Sequence, residues 1–166
     1  MIRGRHRCAH EGSRVKLRLV AVGKLRDPSV AALARDLRRR LPRYGPFDET
    51  EVDAAHGGDP ARAVRDEGQR VLRTLSPGEP MWLLERTGTQ LSSLELAARL
   101  ADEARATSRL TLVIAGAYGA SDALLARATF RWSLSRLTFL HEWVRLLVLE
   151  QIYRAAKIAR NEPYHH

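Results

Sequence analysis

"VKLRLVAVGKLRDPSVAALARDLRRRL", residues 15–41, carries two hydrophobic periods in succession. From Val15 to Gly23 apolar residues alternate or run together and β-branched residues are frequent, which predicts a strand ending at a glycine. After Asp27-Pro28 the period changes. Val30, Leu33, Ala34, Leu37 and Leu41 recur at helical spacing, with Asp27 as the cap, Pro28 at the first helical position and Pro42 as the stop. Arg35, Arg38, Arg39 and Arg40 occupy the other face.

This strand–helix unit repeats along the chain. "FDETEVDAA" reads as a second, more exposed strand, and "GGDPARAVRDEGQRVLRTL" as a second Asp-Pro helix with a sparser apolar face of Val64, Val71, Leu72 and Leu75. "MWLLER" is a buried strand. "SSLELAARLADEARA" is a helix capped by Ser92 or Ser93, "RLTLVIAGAYG" is the most strand-like run, and "SDALLARA" is a short helix capped by Ser121. "RWSLSRLTFLH" is apolar but irregular. "EWVRLLVLEQIYRAAKIAR" is a long helix, apolar on more than one side, which predicts burial by a second subunit as well as by its own sheet. Alternating strands and helices give an α/β class with a mostly parallel sheet and helices on both faces. Residues 15–166 read as a single domain. Residues 1–14 show neither period and read as a disordered extension, an upstream translation start or residues added for expression.

The chain has 166 residues and a net charge of +9, and all but three of its 28 basic residues are arginine. That excess favours a polyanionic partner. Arg3, Arg5, Arg7 and Arg14 against Glu11 supply a third of it, inside the first segment. No apolar run approaches the about 20 residues that span a bilayer, and the start lacks the apolar core of a secretory signal. The single cysteine, Cys8, excludes an intramolecular disulfide and a Cys-based zinc site. A cytoplasmic protein without membrane association is expected, and the histidine spacing makes a metal site improbable.

No phosphate-binding loop, dinucleotide fingerprint or nucleophile elbow is present. What remains are the loops that close the last three strands: "LLERTG" (83–88), "IAGAYG" (114–119) and "SLSRLTFLH" (133–141). Parallel sheets bind ligands beyond the carboxyl ends of their strands, and Gly88, Gly116 and Gly119 allow close approach of main chain.

"LRLVAVGK" (17–24), "LVIAGAYG" (112–119), "RWSLSRLTFLHEWVRLLVLEQIYRA" (131–155) and "NEPYHH" (161–166) together closely resemble the RlmH family, the bacterial 23S rRNA pseudouridine N3-methyltransferases of the SPOUT superfamily. The resemblance runs from Val15 to His166. It implies a C-terminal deep trefoil knot, with the irregular loop wrapped around S-adenosylmethionine. Carried over residue by residue, it implies donor contacts at Leu84, Glu85, Gly116, Ser135, Arg136, Leu137, Thr138, Phe139 and Leu140. It places Tyr164, which would stack on or bond the target base, and His165, which would take its N3 proton, in the catalytic tail. Arg154 would hold phosphate or the anionic base. It also implies a homodimer built on the last helix and acting on 23S rRNA in the assembled ribosome, with Arg38, Arg39, Arg40 and Arg43 as candidate phosphate contacts. Two positions depart from the family: Ala115 precedes Gly116 where two glycines are common, and Leu140 stands where proline is common. A different SPOUT RNA target, or a knotted RNA-binding module without catalysis, would share most of these features.

Overall fold

The computed structural model describes residues 15–163. The expectations for residues 1–14, and those for Tyr164, His165 and His166, lie outside the described residues. In chain order the elements are β1 (Lys16–Val22), α1 (Pro28–Arg40), a 3-10 turn (Leu41–Arg43), β2 (Phe47–Val52), α2 (Pro60–Leu72) and β3 (Met81–Gln90). They continue with α3 (Ser93–Ala106), β4 (Arg109–Ile114), α4 (Asp122–Arg127), β5 (Phe130–Ser133) and α5 (His141–Ala159).

Both Asp-Pro starts behave as their chemistry requires. The Asp27 carboxylate accepts from the N–H groups of Ser29 and Val30 at 2.8 and 3.0 Å. Asp59 does the same for Ala61 and Arg62, satisfying amides that have no partner in the first helical turn. Ser92, rather than Ser93, caps α3, in a reciprocal box with Glu95.

The five strands form one sheet in the order β2-β1-β4-β3-β5, and every pairing is parallel. Alternate side chains build two cores. Leu19, Ala21, Trp82, Leu112, Ile114 and Trp132 face α1, α3 and α5. Val20, Val22, Met81, Leu83 and Val113 face α2 and α4. Burial on both faces is why these strands read as unbroken apolar runs. The edge strand β2 is the exception, with only Val52 buried.

Three local readings change. Phe130–Ser133, the start of the irregular stretch, is a strand, because it finds β3 as a partner. The "ERTG" turn lies inside β3: the register slips between Leu84 and Thr89, so residues 85–88 bulge and pairing with β5 then resumes. Gly88 is required there, since a Cβ would sit 2.6 Å from the Arg131 carbonyl oxygen. Leu33, placed by its spacing on the buried face of α1, is 58% exposed, because Val30 and Ala34 fill the contact.

Candidate active site

Parallel register brings the carboxyl ends of the central strands together. Leu84 lies beside Ile114 on one side and Trp132 on the other. Glu85, Gly116 and the residues after Ser133 therefore emerge side by side. The chain leaves β1 toward β2 and leaves β4 toward β5, on opposite sides of the sheet. That divergence opens a crevice between the ends of β1 and β4.

The loop 134–140 crosses this edge. It starts at β5, at the rim of the sheet, and delivers the first turn of α5 to β1, past the ends of β3 and β4. Its far end is firmly held. His141 Nε2 lies 2.7 Å from the Val22 carbonyl oxygen. Glu142 Oε2 accepts from the N–H groups of Arg26 and Asp27 at 2.8 and 2.9 Å. Arg145, 1% exposed, donates to Glu51 at 2.5 Å, to Glu49 at 3.2 Å and to the Gly23 carbonyl. At the near end the Ser133 hydroxyl lies 3.0 Å from the carbonyl oxygens of both Arg86 and Ser135, clasping the β3 bulge to the loop.

Between these anchors the main chain is open. The Leu137 N–H donates to the Ser135 hydroxyl, while the N–H groups of Arg136, Thr138 and Phe139 have no partner among the described residues. Leu137 and Leu140 are 70% and 68% exposed, and Trp143 is 51% exposed. Beneath the Gly116–Gly119 turn lies the buried carboxylate of Glu67. One oxygen accepts from the Ala55 N–H at 2.8 Å; the other has no partner among the described residues. A Cβ at position 116 would meet that second oxygen at 2.0 Å.

The structure thus gathers Leu84, Glu85, Gly116 and residues 135–140 at one edge. Arg154 is elsewhere. It sits thirteen residues beyond His141 on α5, about 20 Å along the axis, in an ion pair with Glu150 at 2.6 Å. The root of the tail is farther still. α5 runs from the carboxyl edge to the amino edge of the sheet and ends in a Schellman closure, with Asn161 at φ 54° and the Glu162 N–H donating to the Lys157 carbonyl at 3.0 Å. There Glu162 meets Tyr44, just before the Pro46 carbonyl that receives the N–H of Leu17 at the start of β1. Arg38 pairs with Glu49, and Arg39 and Arg40 pair with Asp36, with the Arg39 side chain still 80% exposed.

Profile comparison matches residues 15–165 to the family described as "Predicted SPOUT methyltransferase". The chain belongs to the SPOUT methyltransferase family. Among curated relatives, the "Ribosomal RNA large subunit methyltransferase H" of Gloeobacter violaceus is 38% identical over 152 residues, covering 92% of this chain and 99% of the relative. The proteins of the same name from Pelobacter propionicus and Symbiobacterium thermophilum are 40% and 41% identical, covering 92% and 91% of this chain and 100% and 99% of theirs. The chain is therefore a methyltransferase. No helix among the described residues is long and apolar enough to cross a membrane.

Sequence reasoning did not find Arg145 or its acceptors. The signal was present: Glu49 and Glu51 share one face of a strand, and Arg145 interrupts the apolar run from Trp143 to Leu149. Glu67 and Tyr44 carried no comparable mark.

Proposed function

We propose that this methyltransferase acts on 23S ribosomal RNA, at N3 of a pseudouridine, as a cytoplasmic homodimer working on the assembled ribosome with S-adenosylmethionine as donor. The observation that carries the reading is the loop 134–140, anchored at both ends and open in the middle, laid across the ends of β3 and β4. Its unpaired N–H groups suit the polar edge of an adenine, and Leu84, Leu137 and Phe139 supply an apolar seat. In this reading the C-terminal segment passes through the loop as a trefoil knot, in keeping with a helix that follows the rim strand yet is seated on β1.

S-adenosylmethionine supplies a methyl already activated on a sulfonium, so no covalent enzyme intermediate is needed. The chain's task is to align the acceptor nitrogen, exclude water and accept the N3 proton. His165 takes that proton, since an imidazole titrates near neutrality. Tyr164 holds the base, and Arg154, which lies toward the tail end of α5 and away from the loop of its own chain, stabilises the anionic base from the tail's side of a site shared between two copies.

Two copies are needed. α5 is 19 residues long, about 28 Å at 1.5 Å per residue. The loop lies at its start and Glu162 beyond its end. The three residues from Glu162 to His165 span at most about 11 Å when extended, a length that favours the loop of a partner over that of the same subunit. It serves the loop of a partner. Exposed Leu140, at the end of the loop, and Trp143, on the first turn of α5, are the apolar surface a partner would cover.

Titration calorimetry tests the donor site. One donor is expected to bind per chain, and Gly116→Ala, which forces the Glu67 carboxylate out of place, is expected to weaken binding about tenfold or more, some 1.4 kcal/mol. Absence of binding to the wild-type chain would contradict the reading.

A further inference from the structure

The last described residues are held with more care than a fraying helix end needs. Glu162 Oε2 accepts from the Tyr44 hydroxyl at 2.9 Å and pairs with Lys157 at 2.9 Å. Arg160 lies over the Tyr44 ring, 4.6 Å from its centroid, and donates to the Arg43 carbonyl at 2.9 Å. The other flank of Tyr44 meets Tyr153 edge-on, with centroids 5.5 Å apart at 86°. The phenol is wedged between helix and tail root, with its one donor spent on the tail. The Schellman closure at Asn161 turns the chain out of the helix axis, and the Tyr44–Glu162 bond fixes where the turned chain points. Burial first, and the Glu162 hydrogen bond second, push the Tyr44 hydroxyl up to about 12. Lys157 first, then Tyr44, hold the Glu162 carboxyl below its ordinary value. Donor and acceptor thus keep their bonded forms across the neutral range.

We propose that Tyr44 and Glu162 are positioning residues for methyl transfer: their bond fixes the root of the C-terminal tail at Glu162 and so limits where its catalytic end can reach. This rests on the catalytic reading of the tail given above. Neither residue touches donor or base. Fixing a three-residue arm at its root confines its tip, and a misplacement of about 1 Å costs up to about 100-fold in rate.

The test compares Tyr44→Phe, Glu162→Ala, the double variant, Glu162→Gln and a chain ending at Pro163, each assayed for methyl transfer to ribosomes, donor affinity and thermal midpoint. The latch predicts a kcat loss of about tenfold or more for Tyr44→Phe and Glu162→Ala, with no further loss in the double variant. Donor affinity should stay within twofold. Glu162→Gln, whose amide oxygen still accepts from Tyr44, should recover most of the rate. The chain ending at Pro163 should be inactive while still binding donor. A purely structural contact would instead lower the midpoint and leave kcat per folded molecule unchanged, which overturns the proposal. Wild-type rates in the latch variants beside an inactive truncated chain would overturn the latch and leave the tail reading standing. An active truncated chain would overturn both.

Discussion

Arg145→Ala is expected to cost the fold about 3–5 kcal/mol, the range for removing one partner of a buried ion pair. At this chain length that lowers the thermal midpoint by about 10 °C. The guanidinium is 1% exposed and serves three acceptors on two strands: Glu49, Glu51 and the Gly23 carbonyl. Without it, Glu49 keeps only Arg38 as a partner, and the carbonyl at the end of β1 loses its donor. The loss falls at the first turns of α5, so the loop before them keeps His141 and Glu142 but loses one of its far anchors, and donor affinity should fall as well. Arg145→Lys should recover part of the stability, because one ammonium cannot span acceptors placed for a planar fork. Chemical denaturation measures both variants. A change below about 1 kcal/mol for Arg145→Ala would mean that the cluster behaves as a surface pair despite its burial.

The second large effect concerns which subunit completes the site. A donor-site variant, Gly116→Val, should lose donor binding and with it the activity, because its side chain would collide with Glu67; a tail variant, His165→Ala, should lose about 100-fold or more in rate, the usual loss for a removed acid–base group. Co-expressed with different tags, the two should regain about a quarter of wild-type activity. Half of randomly paired dimers are mixed, and each mixed dimer carries one intact loop facing one intact tail. A tail acting on its own loop would give no recovery. The expectation rests on the loop and Glu162 sitting at opposite ends of α5, with Glu162 bonded to Tyr44.

Most of the architecture was legible in residues 15–41 and their repeats, because strands buried on both faces and Asp-Pro helix starts carry strong local signals. The β3 bulge was not legible. "ERTG" has turn chemistry, and only the return of pairing with β5 at Thr89 reveals a bulge inside a longer strand. Phe130–Ser133 is four residues long and owes its strand geometry to a partner distant in sequence. Within the site, the loop residues were legible through family resemblance and through nothing in their periodicity. Glu142 is an anchor because it accepts two main-chain amides from the β1–α1 loop, contacts that no local pattern marks. Trp132 is 2% exposed, whereas Trp143, on the first turn of α5, is 51% exposed. The opening of α1 at Asp27 and the opening of α5 at Leu140 make the contrast clear. The first is capped by its own side chain, and the second has no side-chain cap and depends on contacts from β1 that no local pattern encodes.

The most direct measurement is nucleoside mass spectrometry of 23S rRNA from ribosomes that carry the pseudouridine but lack its methyl group, after incubation with the purified protein and S-adenosylmethionine. N3-methylpseudouridine is expected from assembled ribosomes and not from isolated large subunits. Donor binding without that nucleoside, or the methyl group on a different RNA, would contradict the assigned substrate.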